Sequence, residues 1–140
     1  MPFSLDNIHP LFIHFPIALL STGLFFDILF LRYNQEDFEI VGFYCMLLGA
    51  LSCLFANITG LMAFLSEAAF IELIQFTHAL LNLFATLIFV LLLWIRIKFQ
   101  LDLRFSSIKR YVYLLIHILS VAILFYASYL GALGEREWLH

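Results

Sequence analysis

The sequence predicts an all-α membrane protein, a bundle of four transmembrane helices running up and down, and three observations point to it. Of 140 residues, 64% are apolar and only 12% charged, far from the quarter or so of charged residues that soluble domains carry. Breaks in the apolar sequence leave four runs, about 11–32, 40–66, 74–97 and 110–134, each long enough at ~1.5 Å per residue to cross a ~30 Å hydrocarbon core. The connections YNQEDFE and EAAFIEL are short, so successive helices are expected as antiparallel neighbours in one domain over residues 1–140.

The first run opens on HPLFIHFPIAL. Pro10 at the first helical position and Pro16 one turn later are what a helix start tolerates. No Lys or Arg precedes this run and no small-x-small site closes it, so it reads as a retained helix and not as a cleaved signal. The second run carries Gly49, Cys53, Ala56 and Gly60 at spacings of four, three and four, a seam of small residues that lets helices approach closely. In the third, His78, Asn82 and Ala85 share one face, polar and small where lipid contact favours Leu or Phe, so this face is expected to meet other helices. The fourth repeats the pattern with His117, Ser120, Ala127, Gly131 and Gly134 near one face. Between the third and fourth runs, KFQLDLRFSSIKR mixes Leu103, Phe105 and Ile108 with Lys98, Arg104, Lys109 and Arg110, as a segment lying on a lipid surface would.

The net charge of -3 is small and spread along the chain, which gives no basic face for nucleic acid and no acidic tail. Arg32, Arg96, Lys98, Arg104, Lys109 and Arg110 belong to the first and third loops with their flanks, against Arg136 alone on the other side. The positive-inside rule then turns the basic loops to the cytoplasm and both termini outward. Cys45 and Cys53 lie on one helix, roughly 12 Å apart by the helical rise, too far to bridge.

With a topology in hand, each polar residue gains a depth. His9 and His140 fall at the outer surface, while His14 and His78 each lie about three residues inside the outer ends of helices 1 and 3. His117 and Asp27 come to a similar depth in the inner part of helices 4 and 1. Ionisable groups so placed are costly, face the protein interior and mark functional candidates with partners nearby. The bland readings are interfacial anchoring for His9 and His14, a hydrogen bond between helices for His78, and a buried hydrogen-bonded pair for Asp27 with His117. His14 and Asp27 point about 140° apart on a regular helix, toward different interfaces. The chain has no Gly-rich phosphate loop, HExxH, CxxC, CxxCH or nucleophile elbow, so soluble-type hydrolysis has no support.

The stretches HPLFIHFPIAL, TGL at 59–61, HALLNLF opening helix 3 and SYLGALGEREWLH ending helix 4 together resemble the bacterial predicted-membrane-protein family called domain of unknown function 2231. The resemblance covers nearly the whole chain. It implies a four-helix membrane domain, in some relatives fused to or encoded beside c-type cytochromes or redox proteins, with recurrent histidines that match His9, His14 and His78. Relatives often end with a Gly-Gly step and a His-Gly pair, where this chain has Gly131, Ala132, Leu133, Gly134 and a terminal His140.

Three kinds of function fit these residues. The first is a b-type cytochrome with haem b between helices near the outer face, His14 and His78 its axial ligands, and His9 and Asn82 supporting the cofactor. Its electrons would pass to a periplasmic cytochrome or another membrane subunit. The second is a non-catalytic scaffold or accessory subunit of a redox or transport complex, its histidines structural and its chains free to oligomerise. The third is a proton or transition-metal pathway through Asp27, His117 and the outer histidines, which needs a polar route through a middle rich in Leu, Phe and Ile.

Overall fold

A computed structural model of the chain describes residues 9–66, 73–98 and 107–137, with side chains over 13–62, 73–98 and 108–133. Four α-helices account for nearly all of this: α1 His9–Tyr33, α2 Glu36–Ser66, α3 Leu73–Lys98 and α4 Ser107–Glu137. All four are long and apolar enough to cross a membrane, and no strand occurs among the described residues. At ~1.5 Å per residue the helices measure roughly 38–46 Å, more than a ~30 Å hydrocarbon core needs, so their ends extend beyond it or the bundle tilts.

The helix ends go past the apolar runs because hydropathy marks the lipid-facing slab, and a helix does not stop where the slab does. Glu36, Asp37 and Glu39, which read as loop in the sequence, form the first turn of α2, where carboxylates oppose the positive end of the helix dipole. Arg32 on α1 and Arg96 and Lys98 on α3 occupy last turns, where cations meet the negative end. The first connection thereby shrinks to two residues. Asn34 takes a left-handed conformation at φ 54° and still donates to the Phe30 carbonyl at 2.8 Å, which ends α1 and turns the chain directly into α2. The connections EAAFIEL and KFQLDLRFSSIKR lie largely outside the described residues, and the lipid-surface reading of the latter with them.

α1 packs along α2 and α3 along α4, while α2 with α3 and α1 with α4 close the ring. The helices α1 and α3 therefore face each other across one diagonal, and α2 and α4 across the other. Helical periodicity decides what points inward. On α1 the buried stripe runs Pro16, Leu20, Gly23, Asp27 and Phe30, and on α3 it runs Ala85, Phe89, Leu92 and Arg96, each stepping by three or four residues. Leu20, Met46, Phe89 and Leu124 are central to the apolar core. Phe15, Phe55, Leu87 and Leu119 are exposed, as suits side chains that contact hydrocarbon.

Close approach of α1 and α2 depends on glycine at particular positions. A Cβ at Gly49 would sit 2.7 Å from Leu20 Cγ, and one at Gly23 would sit 3.2 Å from the Gly42 carbonyl oxygen. The small-residue seam on α2 thus receives a large side chain from α1, and its member Gly60 is only partly buried.

Candidate functional site

Four buried ionisable residues, Asp27, Arg96, Tyr113 and His117, gather in one cluster; α1, α3 and α4 contribute them, and α2 adds a backbone carbonyl and packing atoms. Asp27 stands on the inward stripe of α1 and is 0% exposed. Its seat on α2 is Gly42, where a Cβ would lie 2.5 Å from Asp27 Oδ1. Arg96 comes from the last turn of α3, and its Nη1 donates to Asp27 Oδ1 at 2.9 Å and Oδ2 at 3.1 Å. Its Nη2 donates to the main-chain carbonyl of Glu39 in the first turn of α2 at 3.0 Å. The guanidinium also lies over the rings of Phe43 and Tyr113, 5.7 and 5.8 Å from their centroids, a cation–π arrangement that favours Arg in a dry site.

α4 supplies the remaining two members. The Tyr113 hydroxyl accepts from Arg96 Nη1 at 3.2 Å, and its hydrogen has two acceptors within reach, Asp27 Oδ2 at 3.4 Å and Met46 Sδ at 3.3 Å. One turn on, His117 is fully buried, and its Nδ1 approaches Asp27 Oδ2 to 3.3 Å. That is ion-pair distance without hydrogen-bond alignment, and neither ring nitrogen has a hydrogen-bond partner among the described residues. Phe89 and Tyr113 flank the imidazole edge-on at 5.7 and 6.0 Å. Asp27 and His117, which sequence reasoning set side by side, are thus adjacent, and Arg96 shares the same carboxylate.

Sequence reasoning missed Arg96 by counting it as a loop-side charge. A signal existed: the face begun by His78, Asn82 and Ala85 continues in steps of three and four through Phe89 and Leu92 to Arg96. A cation on the bundle-facing stripe of a membrane helix needs an anion, and Asp27 is a fully buried carboxylate among the described residues.

A second polar network occupies the half of the bundle where α3 begins. His78 Nδ1 lies 2.6 Å from the carbonyl oxygen of Ala127 on α4; a carbonyl only accepts, so Nδ1 carries the proton and donates. Nε2 is then the acceptor, and Asn82 Nδ2 faces it at 3.0 Å. The ring rests on Gly131, where a Cβ would come 2.7 Å from His78 Cε1. One turn deeper, Thr86 Oγ1 donates to the Asn82 carbonyl and accepts from Asn57 Nδ2 of α2, each at 2.8 Å. This polar ladder joins α3 to both of its neighbours.

The structure does not bring His14 to His78. His14 is exposed and lies off the inward stripe of α1, two residues from buried Pro16, while His78 turns toward α4 and has both nitrogens engaged. A haem gripped by these two imidazoles does not fit that arrangement. Among the described residues, no group of three or more His, Cys, Asp or Glu side chains converges as a metal site. The side chain of His9 and the whole of His140 lie outside the described residues. Cys45 and Cys53 are free thiols.

The family model described as "Predicted membrane protein (DUF2231)" matches residues 5–137. No curated protein and no solved structure matches the chain.

Proposed function

We propose that this chain, which belongs to the DUF2231 family of predicted membrane proteins, is a non-catalytic membrane subunit that supports a larger redox or transport assembly. One observation carries the reading: buried Asp27, Arg96, Thr86 and Tyr113 are engaged with neighbouring helices. The Asp27 and Arg96 pair with the Glu39 carbonyl and Tyr113 links α1, α2, α3 and α4, and His78 with Ala127 and Asn57 with Thr86 add two further ties. Groups committed in this way give a membrane bundle a fixed shape in the absence of a hydrophobic drive between helices. The same reading puts the helix ends bearing Arg32, Arg96 and Lys98 at the cytoplasmic face of the inner membrane, on the positive-inside rule.

Native electrophoresis of the tagged chain, extracted mildly from its own membranes, tests the proposal. A subunit migrates in a discrete assembly far larger than its own 16.3 kDa and carries defined membrane partners. Migration as the lone chain or as its homo-oligomer, with no partner, counts against it.

A haem reading has one observation in its favour, the His78 Nδ1 held on a backbone carbonyl, which is how the tautomer of a metal-binding imidazole is often fixed. It would need Asn82 to release Nε2 and a second ligand to replace the outward-turned His14. An absorption spectrum separates it from the subunit reading.

A further inference from the structure

We propose that Asp27 and His117 form a proton-binding site, in which a proton taken up by His117 makes the imidazolium the counter-ion of Asp27 and releases Arg96 toward the inner face. This goes beyond the subunit reading and stands whether or not the chain has a partner.

Two cation-forming side chains approach one carboxylate. Arg96 holds both oxygens of Asp27, and His117 Nδ1 stands 3.3 Å from Oδ2, with neither ring nitrogen bonded among the described residues. No hydrogen bond among the described residues thus fixes the tautomer of this buried ring. A small rotation aligns Nδ1–H with Oδ2. The other groups around the pair are few: Cys45, Met46 and the Glu39 carbonyl from α2, Arg96 and Phe89 from α3, and Tyr113 from α4. Asp27 is the anion at the imidazole.

Charge balance couples the two events. With Asp27 ionised, Arg96 in place and His117 neutral, the cluster carries no net charge. A proton added to that arrangement would leave one uncompensated cation inside the bilayer, which is expensive. Departure of Arg96 restores neutrality, because Asp27 and the imidazolium then balance. Arg96 is suited to leave: it lies two residues from the end of α3, roughly 3 Å from that end by the helical rise, and a long side chain there can carry its head group to the interface. His117 lies ten residues into α4, roughly 15 Å from its start, with no such exit.

The test uses the full chain in lipid nanodiscs. Nitrogen NMR of the labelled His117 ring should change from the neutral to the imidazolium signature when the sample is taken from about pH 8 to about pH 5. Arg96→Met should lower the melting temperature at about pH 8 by on the order of 10 °C and recover most of that loss at about pH 5. Adding His117→Phe should abolish the acid recovery. A His117 ring that stays neutral throughout in the wild type overturns the proposal. So does acid recovery that persists in the double variant, because the proton then binds Asp27 itself. If Arg96→Met does not fold, the wild-type ring signal decides alone.

Discussion

Asp27 and Arg96 stand on α1 and α3, helices that face each other across a diagonal of the bundle, and their side chains meet at 2.9 Å inside it. The other diagonal is bridged at the same place, where Tyr113 of α4 reaches Met46 of α2 at 3.3 Å. One small cluster therefore touches every helix. Its position near the last turn of α3 ties all four helices together at that end of the bundle.

Removing one partner of the ion pair leaves the other charge buried and alone. Asp27→Ala and Arg96→Met are each expected to cost about 3–5 kcal/mol, measured by detergent-driven unfolding in mixed micelles. The double variant Asp27→Leu with Arg96→Met should cost well below the sum, because no orphan charge remains. Additive losses would mean that the two side chains do not meet.

Tyr113→Phe removes one hydroxyl from the same cluster and leaves the ion pair intact. The expected loss is about 0.6 kcal/mol, the size of a typical side-chain hydrogen bond between membrane helices, in the same unfolding assay. A loss as large as that of Arg96→Met would make the hydroxyl, and not the guanidinium, the main partner of Asp27.

Gly42 is needed because of Asp27. A Cβ at position 42 meets Asp27 Oδ1 at 2.5 Å, so Gly42→Ala should destabilise by roughly 1–3 kcal/mol, as overpacking does. In an Asp27→Ala background the same change should cost less, because only the Gly23 carbonyl oxygen at 3.3 Å then remains close to the new Cβ, a non-additivity that two distant sites would not show. Gly131→Ala should behave alike toward the His78 ring, with relief in His78→Ala.

The four spans and their ring of antiparallel neighbours were legible because each apolar run is long and its breaks are charged. The stripe of His78, Asn82 and Ala85 was legible too, since helical spacing alone turns it inward, and it leads to Asn57, Thr86 and Ala127. Arg96 was not recognised, because a basic residue at the end of an apolar run ordinarily marks the cytoplasmic interface; only its place on the stripe of Phe89 and Leu92 distinguishes it. The seat under Asp27 was hidden for a different reason. Gly42 falls among acidic and aromatic residues that hydropathy assigns to the start of a helix, and which atom a glycine makes room for is set by the partner helix. The outward turn of His14 follows from the helix phase that Pro16, Leu20 and Asp27 share, a phase the HPLFIHFP stretch does not display by itself.

With Arg96 inside the bundle, five basic residues of the first and third loops with their flanks stand against Arg136, and on the positive-inside rule those loops are expected at the cytoplasm. In a background without Cys45 and Cys53, a cysteine replacing Glu36 should resist an impermeant thiol reagent in intact cells, and one replacing Glu72 should react. The reverse pattern would invert the topology and turn the His78 end of the bundle to the cytoplasm.

The central claim is that the buried polar side chains hold helices and not a cofactor, and the absorption spectrum of the detergent-purified chain, expressed with ample haem, tests it most directly. The account predicts no Soret band and no split visible bands on reduction, in the wild type and in His14→Ala and His78→Ala alike. A Soret band in the wild type that disappears in His14→Ala or His78→Ala would contradict it and make those imidazoles ligands of haem iron.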